Sequence, residues 1–211
     1  MSIPKVLHQF WTGPPMPQVF ADFAEGWKRL HPAWEYRLWG DGDLPPLQNQ
    51  YLYDRAKEIA PRFVGQMRSD VLRYELLYQF GGVWIDTDFE CLKPIDELLD
   101  GVGCFAAWVQ TDLWINNAIM GASPGHPFIG RLIDGLPANV VAKRGLMPNK
   151  LTGPQYMTGV WREHPEGVTL FPKAMFYPYL WSELWRGRER FEGCYGVHHW
   201  GNRRRGRGVP L

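Results

Sequence analysis

With 211 residues the chain has enough length for one domain with a substantial core, which excludes a small stapled scaffold. Twenty-three Lys and Arg against 22 Asp and Glu leave a net charge of +1, so global electrostatics exclude a case for nucleic acid as partner. Three widely spaced cysteines, Cys91, Cys104 and Cys194, exclude a disulfide framework or a cysteine metal knuckle and fit a reducing cytoplasm.

Residues 5–11 read as a first strand, closed by the turn Thr12-Gly13-Pro14-Pro15. Phe20, Phe23, Trp27 and Leu30 recur at helical spacing, and residues 34–39 alternate as a second strand. Asp41-Gly42-Asp43 makes a turn, and residues 47–60 read as a helix stopped by Pro61. An amphipathic helix follows from Arg68, with Asp70 and Arg73 on one face, where a solvated surface ion pair is an equal reading. Gly81-Gly82 closes it, and Val83-Trp84-Ile85 is the apolar run of a strand covered on both faces. This β-α-β-α-α-β order predicts a largely parallel α/β sheet.

After Pro94, residues 105–109 and 118–122 read as strands and 126–136 as a helix. Residues 137–152 read as a polar, irregular loop that could cover the site. Pro154 suits the first turn of a helix to about Glu163, and residues 169–171 and 195–200 read as late strands. Eleven tryptophans suit either a sugar-handling cleft or, for any single one, the core.

Two carboxylates, Asp86 and Asp88, stand where the central strand ends. If the chain stays extended there, alternation points both to one side. Oxygen ligands on one side suit a hard divalent cation, manganese or magnesium, with positions left for phosphate oxygens. Open α/β sheets bind ligands beyond the carboxyl ends of their strands, where Asp86 lies.

A D-x-D alone is a weak signal, but the run Ser69-Asp70, Arg73-Tyr74, Leu76-Leu77, Gly81-Gly82, Trp84, Asp86, Asp88 is specific. It resembles the donor motif of glycosyltransferases with a sugar-binding D-x-D region, the group around yeast-type mannosyltransferases, α-1,4-galactosyltransferases and clostridial glucosylating toxins. Ile3-Pro4-Lys5-Val6-Leu7-His8-Gln9-Phe10-Trp11, Asn117 to Ala122 with Gly125-His126-Pro127-Phe128, Thr152-Gly153-Pro154 and Val197-His198-His199-Trp200 resemble further blocks of that family, in its order.

The resemblance implies a GT-A-like fold: α/β, a single α/β/α sandwich with a Rossmann-like nucleotide-binding half and a mostly parallel sheet, residues 1–211 forming one catalytic domain. It implies retaining transfer of a hexose from a nucleotide-sugar (UDP-glucose, UDP-galactose or GDP-mannose) to a glycan, lipid-linked or protein acceptor, as in polysaccharide biosynthesis. It carries over Asp88 as direct metal ligand, Asp86 as a ligand through water or a donor contact, and Asp70 and Arg73 as sugar and phosphate contacts. Trp11, Gln9, Asn117 and Trp200 fall to the donor. His198, with His199 second, falls to the metal, since neutral imidazole suits manganese. Relatives often continue V-H-x-W with serine and tryptophan, where this chain has Gly201-Asn202-Arg203.

The N-terminus has no signal-peptide pattern, and no apolar run approaches the ~20 residues of a membrane span. The expectation is a cytoplasmic bacterial or viral enzyme. Arg203, Arg204, Arg205 and Arg207 make a basic end that is either a solvated tail or a contact for anionic lipid or the donor diphosphate. Two other readings stand: a non-catalytic nucleotide-sugar or carbohydrate-binding module, and a haloacid dehalogenase-type phosphatase. The latter usually has its motif early in the chain and Thr or Val where Glu90 stands.

Overall fold

The structure, a computed structural model, describes residues 2–201. A six-stranded sheet runs in the order β2-β1-β3-β6-β5-β7, from Glu35–Trp39 (β2), Val6–Phe10 (β1), Gly82–Ile85 (β3), Trp114–Ala122 (β6), Cys104–Gln110 (β5) and Thr169–Phe171 (β7). β6 runs against its neighbours and the other five strands share one direction, so the sheet is mostly parallel as expected. A small second sheet pairs Phe89–Cys91 (β4) with Gly196–His198 (β8), antiparallel.

β3 shows why its sequence is apolar throughout. Trp84 packs into the core under the helices Gln50–Asp54 (α2) and Val64–Phe80 (α4), while Val83 and Ile85 pack into a second core with Trp27 of Gln18–Leu30 (α1). A strand buried on both faces cannot alternate polar and apolar side chains. Its start is forced by glycine. Gly81 and Gly82 have φ of +64° and +93°, and a Cβ on Gly82 would lie 2.6 Å from the Val6 carbonyl oxygen. These two residues end α4 and let β3 come hard against β1.

Four expectations change. First, α4 is not amphipathic: Met67 and every residue from Asp70 to Leu77 are buried, because the helix lies between the sheet and Pro127–Ala142 (α5). Second, residues 47–60 form two short helices, α2 and Ala56–Ile59 (α3), parted at Arg55. Third, much of 137–152 is helical. α5 runs through Pro137 to Ala142, and Pro148–Leu151 (α6) precedes Pro154–Glu163 (α7). Proline has no N–H for the Ile133 carbonyl four residues back. Asn49 Nδ2 donates to that carbonyl instead, at 2.9 Å, so the helix survives the proline. Fourth, the chain turns after β3 rather than staying extended. Phe89 N–H donates to the Asp86 carbonyl at 3.1 Å, and β4 leads away.

Candidate active site

β1 and β3 are parallel neighbours, so Trp11 and Asp86 follow adjacent strand ends on one edge of the sheet. The turn at 86–88 then brings Asp88 beside Asp86. The β4–β8 pairing sets Phe89 opposite His198, which returns the C-terminal segment to the same point. Asp86, Asp88 and His198 offer ligand atoms that all lie within 4.8 Å of one another. His198 Nε2 is 3.2 Å from Asp88 Oδ1, while its buried Nδ1 has no hydrogen-bond partner among the described residues. The carboxylates converge as the motif suggests, though through a turn and not through strand alternation.

Electrostatics set the three groups apart. Burial raises Asp86 above the ordinary carboxylate range, only partly offset by the Arg73 guanidinium, and the neighbouring Asp88 raises it further. Burial pushes Asp88 the same way, but His198 and the Gly201 N–H overcome it and hold Asp88 at about 2. Burial lowers His198, and Asp88 outweighs that and raises it. Two carboxylates and an imidazole form a mixed oxygen and nitrogen donor set of the kind manganese or magnesium accepts.

Beneath this cluster lies a charged network. Arg73 is buried and ion-paired to Asp70 at 3.3 Å and Asp86 at 3.0 Å, which removes the surface-pair reading. It also donates to Ser69 Oγ at 2.9 Å and to the Asn117 carbonyl. Its guanidinium nitrogens are thus engaged within the protein, one of them by Asp86, while the residue also lines the cleft. Asp70 accepts from Asn117 Nδ2 at 2.9 Å and Thr152 Oγ1 at 2.8 Å, and burial lifts it to about 6 despite Arg73. Trp84 Nε1 donates to Asp86 Oδ1 at 2.8 Å. The sequence reading missed Thr152 and Trp84 as partners; the T-G-P block was visible, but nothing in it pointed to Asp70.

The remaining residues divide clearly. Trp11, Asn117 and Trp200 line the cleft with Asp70, Arg73, Asp86, Asp88 and His198. Trp200 sits at φ +55° with its ring 4.3 Å from that of His198. Gln9 does not line it: fully buried, it donates to the Asp86 carbonyl at 3.4 Å and accepts from Tyr36 OH at 2.6 Å, supporting the strand end from below. His199 also points elsewhere. Its ring nitrogens meet Glu90 at 2.8 Å and Tyr179 OH at 2.9 Å, and it stacks on Phe23, so it is not in the metal-type cluster. Asn116, not separable from Asn117 by sequence, accepts from the Ala118 N–H at 2.8 Å and also lines the cleft. Arg203 to Arg205 and Arg207 lie outside the described residues.

The cleft has a volume of about 1020 Å³, enough for a nucleotide sugar and part of an acceptor, with Arg62, Gln66, Gln110, Asn149 and Gln155 as further polar walls. Among the described residues, no helix is long and apolar enough to cross a membrane.

Residues 17–102 match the family described as glycosyltransferase sugar-binding region containing DXD motif. The chain is 28% identical to inositol phosphoceramide mannosyltransferase 3 of Schizosaccharomyces pombe, over 94% of this chain and 60% of that protein. It is 31% identical to inositol phosphoceramide mannosyltransferase 2 of the same yeast, over 77% of this chain and 47% of that protein. The chain thus spans about half the length of these curated relatives. Among solved structures the PaToxG glycosyltransferase shares the fold, with a TM-score of 0.63 at 16% identity over 78% of this chain and 71% of that one. The residue pattern, the relatives and the fold agree: residues 17–102 match the DXD sugar-binding region, and the chain is similar to glycosyltransferases that carry it.

Proposed function

We propose that this chain transfers a hexose from a nucleoside diphosphate sugar to a hydroxyl of a lipid-linked acceptor, with a divalent cation held by Asp86, Asp88 and His198. The observation that carries the reading is the convergence of those three side chains, from two distant segments, at the floor of the cleft. Charge supports it. Among the described residues, Arg73 is the cation ion-paired to Asp70 and Asp86, so the three carboxylates with a neutral His198 leave a local double negative charge that one divalent cation would balance. When bound, that cation would supply Lewis-acid stabilisation of the departing diphosphate.

The chain's own residues do the rest. Arg73 and Trp84 fix Asp86, both donating to Oδ1 of its carboxylate. Trp11, at the end of β1, offers a flat face on which a base can stack, worth about 1–3 kcal/mol. Asp70 and Asn117, buried and mutually bonded, line the part of the cleft where the sugar would lie. In the reaction the bond from the anomeric carbon to the diphosphate breaks, and the acceptor oxygen bonds to that carbon on the same face. The acceptor proton passes to the departing phosphate oxygen, so anomeric configuration is retained.

The names of the two yeast relatives favour mannose as the sugar and an inositol-phosphate sphingolipid as the acceptor class. The test is nucleotide release from GDP-mannose, UDP-glucose and UDP-galactose with manganese, with and without such a lipid. Mannose transfer from GDP-mannose is the expected result. Donor binding without any turnover would overturn the enzyme reading in favour of a binding module, a second reading kept because the chain spans only part of its relatives.

A further inference from the structure

The block Thr152-Gly153-Pro154 stands out in the sequence, yet the reaction outlined above gives it no task. In the fold it joins α6 to α7 and closes a ring of four hydrogen-bonded residues with partners from α4 and β6. Thr152 Oγ1 donates to Asp70 Oδ2 at 2.8 Å. Asn117 Nδ2 donates to Asp70 Oδ1 at 2.9 Å and to Tyr74 OH at 3.2 Å. Tyr74 OH donates back to the Thr152 carbonyl at 2.8 Å. All four residues are buried. Gly153 lets the junction press this close, because a Cβ there would lie 3.0 Å from Asp70 Oδ2.

A hydroxyl carries one hydrogen and a primary amide nitrogen two. Thr152 gives its hydrogen to Asp70, with the Pro148 carbonyl at 3.4 Å as the longer alternative. Tyr74 gives its hydrogen to Thr152, and Asn117 gives its two to Asp70 and Tyr74. Turning any one of these groups strands a buried partner, so the ring holds its members in one arrangement. The ring also has two sides. Asp70 and Asn117 line the cleft, whereas Thr152 and Tyr74 are fully buried and are not among its walls. Thr152 can therefore act on a ligand only through the groups that it holds.

We propose that Thr152 is a positioning residue for the sugar half of the donor: its hydroxyl fixes the plane of the Asp70 carboxylate, and its carbonyl, through Tyr74, keeps the Asn117 amide nitrogen turned inward. The inference rests on the donor-binding reading of the cleft given above. There the cation falls to Asp86, Asp88 and His198 and the base to Trp11, so loss of the Thr152 hydroxyl should affect the sugar and spare the nucleotide. The test takes whichever of GDP-mannose, UDP-glucose and UDP-galactose the wild type binds most tightly and sets it against its own nucleoside diphosphate. Both are titrated by calorimetry with manganese, and sugar transfer is followed beside them. The wild type should bind the nucleotide sugar more tightly than the diphosphate. Thr152→Val keeps the shape and loses the hydroxyl. It should bind the diphosphate as the wild type does, lose the gain from the sugar, and transfer sugar roughly tenfold more slowly. Thr152→Ser should restore both.

Tyr74→Phe, which cuts the ring at the Thr152 carbonyl, should show the same selective loss, and it decides the question if Thr152→Val does not fold. Asn49→Ala serves as the control: Asn49 does not line the cleft, so its loss should lower the melting temperature and leave the preference for the nucleotide sugar intact. Equal weakening of diphosphate and nucleotide sugar in Thr152→Val would reduce Thr152 to a structural role and overturn the proposal. Unchanged preference and turnover would overturn it too, as would a wild type whose affinity gains nothing from the sugar. If the wild type binds the donor but transfers no sugar, the enzyme reading fails, and the binding preference alone decides the role of Thr152.

Discussion

Two buried polar networks sit at opposite ends of the β3 region, and they are built differently. At its carboxyl end, Asp70, Arg73, Asp86, Asp88 and His198 gather charge. At its amino end, His8 Nε2 donates to the Gly81 carbonyl at 2.9 Å and His8 Nδ1 accepts from Trp39 Nε1 at 3.1 Å. Those two bonds fix one neutral tautomer, and burial holds His8 at about 4. The amino-end network is complete within itself. Among the described residues, the carboxyl-end network carries excess negative charge and a buried imidazole nitrogen with no partner. Structural histidines are closed off; the site histidine is left with work to do. Neutral networks suit positions that only hold the fold, whereas an unbalanced charge suits a position that meets a charged ligand.

The largest effect should come from breaking the charged network from within. Arg73→Met leaves buried Asp70 and half-buried Asp86 without their counter-charge and should cost about 3–5 kcal/mol of stability, read by urea unfolding. Retained stability would mean that the two carboxylates are protonated or reach solvent.

Acid should break the neutral network. His8 has its pKa depressed from 6.5 to about 4, so its contribution is fully present above pH 6.5 and is lost as pH falls toward 4. The loss is worth roughly 3 kcal/mol at one unit per 1.36 kcal/mol. Asp70, raised to about 6, works in the opposite direction between pH 6 and its ordinary value, so the wild type alone blurs the effect. The stability gap between wild type and His8→Gln isolates it, and should narrow from pH 7 to pH 4. An unchanged gap would show that His8 titrates normally.

Asp88→Asn keeps shape and removes one charge from the site. Sugar transfer should fall at least tenfold, about 1.4 kcal/mol of transition-state stabilisation. The paired histidines sharpen the point: His198→Ala should lower metal affinity, whereas His199→Ala should leave metal affinity near wild type and lower the melting temperature, because His199 bonds Glu90 and Tyr179. The smallest effect belongs to a neutral bond far from the site. Asn49→Ala strands the Ile133 carbonyl opposite Pro137 and should cost about 1–2 kcal/mol.

Local patterns made much of the fold legible. Strand β1, helix α1, strand β2 and the Gly81-Gly82 stop were readable because each rests on local periodicity or backbone freedom. The α5–α6 region was not, because Pro137 reads as a helix breaker until Asn49, 84 residues from the Ile133 carbonyl it bonds, supplies the missing donor. The helix α4 looked amphipathic because Arg73, Glu75 and Asp70 are charged, yet all three are buried against partners from other segments: Glu75 accepts from the Gln48 and Asn49 backbone N–H groups at 3.0 and 2.8 Å. In the site, the residue types named the chemistry, and Asp86, Asp88 and His198 do meet. The division of labour was hidden. Whether an arginine faces a ligand or a carboxylate, and whether His198 or His199 turns inward, depends on the β4–β8 register, which no local pattern encodes.

The most direct measurement is manganese binding followed by calorimetry, with GDP present, for the wild type, Asp88→Asn and His198→Ala. The account predicts a single site in the wild type that also supports sugar transfer after chelator treatment and metal return, and binding at least tenfold weaker in each variant. Equal binding by all three proteins, or full transfer in chelator, would contradict it.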